Sequence, residues 1–175
     1  EYLKYVTCHD GGHERVSRTG FISPEEWSQP GFSFMMNAIE DPRMNNFVAE
    51  SYPSYRKWMH IAYEEHLGFE KKSREVAEQN LGFQPQHMQA GFEYIKQWLK
   101  EEGEKDFDID DALPGEVKEV VRNTLRSAAC SWKIFPTRDM ADGKRPDELG
   151  LTGESSILAR PMKLIGMKFG RNFAN

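Results

Sequence analysis

Apolar residues recur at intervals of three and four over most of the middle of the chain, which is the period of an amphipathic α-helix. The pattern predicts one helix from Ser54 to Leu67, another from Pro85 to Glu102, and a third from Pro114 to about Lys133. We expect the third to be the central helix of the fold because its apolar stripe is the longest. The stripe consists of Val117, Val120, Val121, Thr124, Leu125, Ala128, Ala129 and Trp132.

Start and stop residues divide the rest of this middle region into further helices. The sequence Ser-Pro-Glu-Glu at positions 23–26 has the form of a capping box with Pro at the first helical position, so it predicts a helix start. The Asp41-Pro42 pair predicts another start and divides the helical segment that begins at Phe32. Gly68 is expected to end the helix from Ser54, and a further helix should follow it to about Leu81.

The alternation of apolar and polar residues that marks β-strands does not recur along the chain, so the pattern predicts an all-α fold. Short links between about six helices indicate an irregular bundle of antiparallel neighbours. We expect a helical domain over residues 23–135, flanked by extended arms over residues 1–22 and 136–175. The N-terminal arm lacks a helical period, so Tyr2–Thr7 is expected to extend as a strand, while Gly11, Gly12 and Gly20 interrupt the rest of the arm.

The apolar composition favours residue types that are common where proteins meet. Phe, Trp, Tyr and Met number 29 of 175 residues, whereas Leu, Ile and Val number 25. The aromatic and Met residues of the two arms have no predicted bundle to enter, and the C-terminal arm carries positive charge without acids from Ser155 onward. We therefore expect contacts with other protein subunits through Tyr2, Tyr5, Arg160, Met162, Lys163, Met167, Lys168, Phe169, Arg171 and Phe173.

These features lead to a first hypothesis, a non-catalytic accessory or structural subunit that docks on a larger protein assembly through its arms. The basic, amphipathic C-terminal arm is also compatible with an anionic membrane surface. A helical nucleic-acid-binding or capsid protein is a further alternative, but the formal net charge of -5 disfavours contact with phosphates.

A second hypothesis comes from a dense group of potential metal ligands near the N-terminus. Cys8, His9, Asp10 and His13 bring thiol, imidazole and carboxylate groups together, and all three can bind transition metals. No second Cys or His pair follows at zinc-ribbon spacing, and His60 with Glu64 does not complete a known zinc motif either. The alternative is therefore a metal-binding protein or enzyme that uses this cluster, while no motif requires a particular cofactor.

No apolar run approaches the roughly 20 residues that cross a bilayer, and no signal-peptide core is present. The chain begins at Glu1 without Met, so we expect either a processed form or a trimmed piece. The expected location is intracellular, including an organelle reached with a targeting peptide that is then removed.

Overall fold

The computed structural model describes residues 1–17, 22–100 and 109–133, without the side chains of residues 64, 66–71, 73 and 74. Within these ranges the chain forms six helices and no strand, which confirms the all-α prediction. The helices are α1 (Tyr2–Val16), α2 (Pro24–Trp27), α3 (Phe32–Ser51), α4 (Tyr55–Leu81), α5 (Gln86–Leu99) and α6 (Gly115–Ser131). No helix among the described residues is long and apolar enough to cross a membrane.

Helix α3 lies at the centre of the bundle. It contacts each of the other five helices, and 12 of its 20 residues are buried. The prediction that the helix after Pro114 is central is therefore wrong. The sequence pattern concealed the role of α3 because its buried residues include Glu40, Arg43 and Asn45, which interrupt an apolar stripe.

Two predicted helix breaks are absent. Pro42 lies inside α3, where it is itself buried, and Gly68 lies inside α4, which continues to Leu81 and ends at Gly82 with φ of 73°. An interior Pro costs about 3 kcal/mol and an interior Gly about 1 kcal/mol relative to Ala. In α3 the burial of neighbours on both sides, such as Ile39 and Met44, offsets the cost of Pro42.

The N-terminal segment does not extend away from the domain. Residues 2–16 form α1, which packs against α3 and α4, so the predictions of a strand-like Tyr2–Thr7 and an extended arm are wrong for this part. Burial outweighs the poor helix propensity of Gly11 and Gly12, since Val16 is fully buried and Tyr5 and Cys8 pack against the core. Residues 18–21 lie outside the described ranges.

Other local predictions are confirmed. Ser23 and Glu26 form the reciprocal hydrogen bonds of a capping box at the start of α2. Helix α6 starts directly after Pro114, and most of its predicted stripe is buried, including Val117, Val121 and Leu125. The C-terminal arm, residues 136–175, lies outside the described residues.

Candidate metal centre

The helical form of α1 brings two histidines together. His9 and His13 are four residues apart, so they lie one turn apart on the same helix face. Their rings meet edge to face with centroids 4.7 Å apart, and the two Nε2 atoms are 3.2 Å apart. Both residues are partly buried, which places this pair at an interface and not on an open surface.

The close approach of α1 to α3 depends on Gly12. A Cβ atom at this position would lie 2.4 Å from Met44 Sδ and 2.6 Å from Val48 Cγ2, well inside van der Waals contact. Only glycine allows the two helices to pack at this separation. The separation in turn brings His9 and His13 within reach of side chains on α3.

Asp41 of α3 completes a cluster of three potential ligands. Its Oδ1 lies 3.2 Å from His13 Nε2. One ligand atom from each of His9, His13 and Asp41 can be chosen so that all three lie within 4.8 Å of one another. The structure thus joins a carboxylate from the middle of α3 to the two histidines of α1.

The hydrogen bonds around Asn45 fix the tautomer of His9. Tyr55 Oη donates to Asn45 Oδ1, and Asn45 Nδ2 donates to Tyr63 Oη at 3.0 Å, so Oδ1 is an acceptor. His9 Nδ1 lies 3.1 Å from this oxygen and therefore carries the proton. Neutral His9 then has its lone pair on Nε2, the atom that faces His13.

A second chain of hydrogen bonds orients His13. Its Nδ1 lies 2.8 Å from Ser17 Oγ, which itself donates to Glu40 Oε1. Ser17 Oγ must therefore accept the proton on His13 Nδ1. Arg43, which is fully buried, donates through Nε to Glu40 Oε2 at 2.8 Å and through Nη2 to the Val16 carbonyl. The charge of Glu40 is thus compensated inside the protein.

The Nδ1 atoms of both histidines carry a proton and donate it within the protein. His13 can therefore gain or lose a proton at Nε2. Burial lowers the pKa of His13, but the hydrogen bond and charge of Asp41, with a further contribution from Glu40, raise it by more. The pKa of His13 consequently lies above its ordinary value. The protonated form of His13 is oriented to donate from Nε2 to Asp41 Oδ1.

Three tyrosines surround the same cluster. Tyr5 stacks on Tyr55 with centroids 5.7 Å apart and meets Tyr63 edge to face, and its Oη lies 3.2 Å from His9 Nδ1. Burial raises the pKa of Tyr5 to about 12 and raises those of Tyr55 and Tyr63 as well. All three phenols are therefore neutral at physiological pH.

A cavity of about 570 Å³ lies against the cluster. His9 and Asp41 form part of its wall, and the other lining residues that the structure describes are mostly aromatic or aliphatic. These are Tyr2, Tyr5, Val6, Ala62, Tyr63, Glu65 and Ile95.

The spacing of the three ligand atoms suits one metal ion. Ligand atoms about 2.1 Å from an ion lie roughly 3.0 Å apart at a right angle and roughly 3.4 Å apart at the tetrahedral angle. The Nε2–Nε2 distance and the distance from His13 Nε2 to Asp41 Oδ1 are both 3.2 Å. An ion that replaced the shared proton could therefore contact both histidines and the carboxylate once His9 and Asp41, whose ligand atoms lie within 4.8 Å of each other, close around it.

The structure separates the predicted ligand group into two parts. His9 and His13 converge, whereas Asp10 is exposed and Cys8 packs against the core outside the cluster. Cys8 and Cys130 are both free thiols. His60 is exposed on α4, and the side chain of Glu64 lies outside the described set.

The predicted docking residues also differ in their positions. Tyr2 has 59 % of its surface exposed, but Tyr5 is partly buried against the tyrosines of the core. The predicted docking residues of the C-terminal arm, from Arg160 to Phe173, lie outside the described residues.

Sequence reasoning missed Asp41. The chain offered one signal, the spacing of four between His9 and His13, which becomes meaningful only if the segment is helical. The glycines at 11 and 12 argued against a helix, and the Asp41-Pro42 pair resembled a helix cap.

In comparisons with known proteins, the chain matches no family model, no curated protein and no solved structure.

Proposed function

We propose that this protein binds a divalent transition-metal ion through His9 Nε2, His13 Nε2 and a carboxylate oxygen of Asp41. The observation that carries the proposal is the orientation of the two imidazoles. Each uses Nδ1 for a hydrogen bond within the protein, while the Nε2 atoms point toward each other and His13 Nε2 also faces Asp41. Metal-binding histidines commonly have this arrangement, because the outer hydrogen bond fixes the ring and increases the basicity of the ligating nitrogen.

The donor atoms indicate the class of metal. Two imidazole nitrogens and one carboxylate suit Zn²⁺, Fe²⁺, Co²⁺ or Ni²⁺, whereas Ca²⁺ and Mg²⁺ prefer oxygen donors alone. The three ligands found among the described residues leave at least one coordination position open, as in catalytic sites and unlike closed structural zinc sites. If the protein is an enzyme, we therefore expect it to catalyse a metal-dependent reaction on a small molecule.

Metal binding can be tested by Zn²⁺ and Co²⁺ titration against a competing chelator. We expect about one ion per chain, with affinity about 100-fold or more lower in His13→Ala and Asp41→Asn, since each loses one of three ligands. Asp10→Asn is the matched control for Asp41→Asn, because Asp10 is exposed on α1. His60→Ala is the control for the histidine change.

Two results would contradict the proposal. One is a wild-type protein that takes up no Zn²⁺ or Co²⁺ while it is folded. The other is an equal loss of affinity in Asp10→Asn and Asp41→Asn. Thermal unfolding gives an independent measurement, because an ion that binds only the folded state raises the midpoint in proportion to the logarithm of its concentration.

A second candidate function, docking on a protein assembly, is favoured by exposed apolar side chains. Leu3 has 77 % of its surface exposed and lies next to Tyr2 at the start of α1. Leu81 and Phe83, at the end of α4, have 55 % and 61 % exposed. Aromatic and large aliphatic side chains in such positions are typical anchors of a protein interface.

Co-purification distinguishes docking from an independent metalloprotein. The full-length chain should be recovered in a larger complex, and Leu3→Ser or Phe83→Ser should release it without lowering Zn²⁺ affinity. A chain that elutes as a monomer at native abundance would contradict the docking function. The matched control is Lys72→Ser, a change at an exposed position of α4 that removes no apolar anchor.

A further inference from the structure

We infer that the cavity beside the metal ligands binds a small carboxylate with an apolar body, whose carboxylate group coordinates the metal directly. This inference rests on the proposed metal site and names the class of molecule that the site accepts. Three observations support it: the shared walls of the site and the cavity, the charge at the metal, and the side chains that line the remaining volume.

The cavity and the ligand cluster have two residues in common. His9 and Asp41 belong to both, while His13 is not among the lining residues of the cavity. An ion held by the three residues would therefore sit at the cavity wall. Coordination positions that these three residues do not fill would then be accessible from the cavity.

The charge at this wall favours an anion. A divalent ion with the single negative charge of Asp41 leaves one net positive charge. The nearby Glu40 does not cancel it, because its carboxylate is already paired with Arg43 and accepts from Ser17. Glu65 also lines the cavity, but it is exposed and its charge is screened by water.

The rest of the lining favours an apolar body on that anion. The rings of Tyr2, Tyr5 and Tyr63 contribute aromatic surface, and Val6, Ala62 and Ile95 contribute aliphatic surface. A volume of about 570 Å³ is within the range of pockets that hold small organic ligands. Acetate would use only the metal, whereas benzoate would also bury its ring against these walls.

The test uses the full-length protein loaded with Co²⁺, whose visible absorption reports its coordination. Titration with acetate and with benzoate should change the spectrum, and benzoate should bind at least about tenfold more tightly because its ring is removed from water. Ala62→Leu, which narrows the cavity, should lose most of the preference for benzoate and keep its Co²⁺ affinity. Ala112→Leu, at an exposed position, is the matched control.

The possible outcomes distinguish a failure of the carboxylate inference from a failure of the proposed metal site. Failure to take up Co²⁺ overturns the metal site itself. Uptake of Co²⁺ with no spectral change in either titration overturns the carboxylate inference alone. Equal affinities for acetate and benzoate in the wild-type protein overturn the assignment of the cavity as the pocket, and this comparison decides the point even if Ala62→Leu does not fold.

Discussion

Helix α3 packs against α1 and against α5, and each partner helix approaches it through a glycine. Gly12 of α1 faces Met44 and Val48, and Gly91 of α5 faces Phe34 and Ala38. Side chains beside the two glycines differ in kind. Next to Gly12 lie the histidines, carboxylates and amide of the candidate metal centre, whereas next to Gly91 aromatic rings pack edge to face, with Phe34 and Phe92 centroids 5.5 Å apart.

The difference shows that close helix packing and site chemistry are separate properties. Both interfaces use a missing Cβ to bring backbones together, but the α1–α3 interface converges several titratable and amide groups, whereas between α3 and α5 the described side-chain hydrogen bond is that from Trp98 Nε1 to Asn46 Oδ1. Burying such groups costs free energy unless each is hydrogen-bonded, and here a continuous network satisfies them. Titratable groups with shifted pKa values, as at His13, occur preferentially at functional sites.

The largest expected effect is at Glu40, the buried acid of the polar interface. Glu40→Gln removes the carboxylate charge that pairs with the fully buried Arg43, so we expect a loss of about 3 to 5 kcal/mol in the free energy of unfolding. Urea denaturation with a chelator present measures it. Glu50→Gln, at an exposed position of the same helix, should change stability by less than about 0.5 kcal/mol. A similar small loss at Glu40 would show that the network contributes little.

The two glycines provide the next test. Gly12→Ala forces a Cβ against Val48, whose branched side chain is buried and stiff, so we expect a loss of about 1 to 3 kcal/mol together with weaker Zn²⁺ binding. Gly91→Ala meets mainly the ring edge of Phe34, which is only partly buried, and approaches Ala38 Cβ at 3.3 Å. There the gain in helix propensity of about 1 kcal/mol should offset most of the clash. Equal losses at both positions would contradict the distinction between the interfaces.

A smaller effect is the pH dependence contributed by His13. The pKa of His13 is raised in the folded state. The stability that protonated His13 contributes is therefore fully present below the pKa of the unfolded state, about 6.5, and is lost as the pH rises through the folded-state pKa. In metal-free protein, the difference in unfolding free energy between wild type and His13→Gln should therefore be larger at about pH 5.5 than at about pH 9. A difference that grows with pH would contradict the ion pair with Asp41.

The smallest expected effect is the opposite response of His87, at the start of α5. Burial lowers the pKa of His87, whose ring packs against Phe34 with centroids 6.0 Å apart. The folded state therefore resists its protonation, and wild-type stability relative to His87→Gln should fall as the pH drops below about 6.5 toward the folded pKa. The effect should be small, because half-exposed groups are screened by water. NMR titration measures the pKa of each histidine. If the pKa values of His13 and His87 were displaced in the same direction from the ordinary value, the contrast between the two histidines would be contradicted.

Some of the candidate site could be recognised from the sequence. The grouping of His9 and His13 with other metal ligands was visible, and the two residues do converge. Cys8 and Asp10 were included because proximity along the chain does not tell which side chains share a helix face. Asp41 was not predicted as a ligand, because a contact between two helices has no signature in the sequence of either helix alone.

The sequence by itself determined the all-α class, the capping box of α2 and the extents of α5 and α6, because capping and apolar periodicity act within one or two helical turns. Only the tertiary structure decided that residues 2–16 are helical, that Pro42 and Gly68 do not end their helices, and that His9, His13 and Asp41 meet. Packing can outweigh local preferences of about 1 to 3 kcal/mol per residue. The candidate metal centre therefore depends on the close packing of Gly12 against α3, which exists only once both helices are in place.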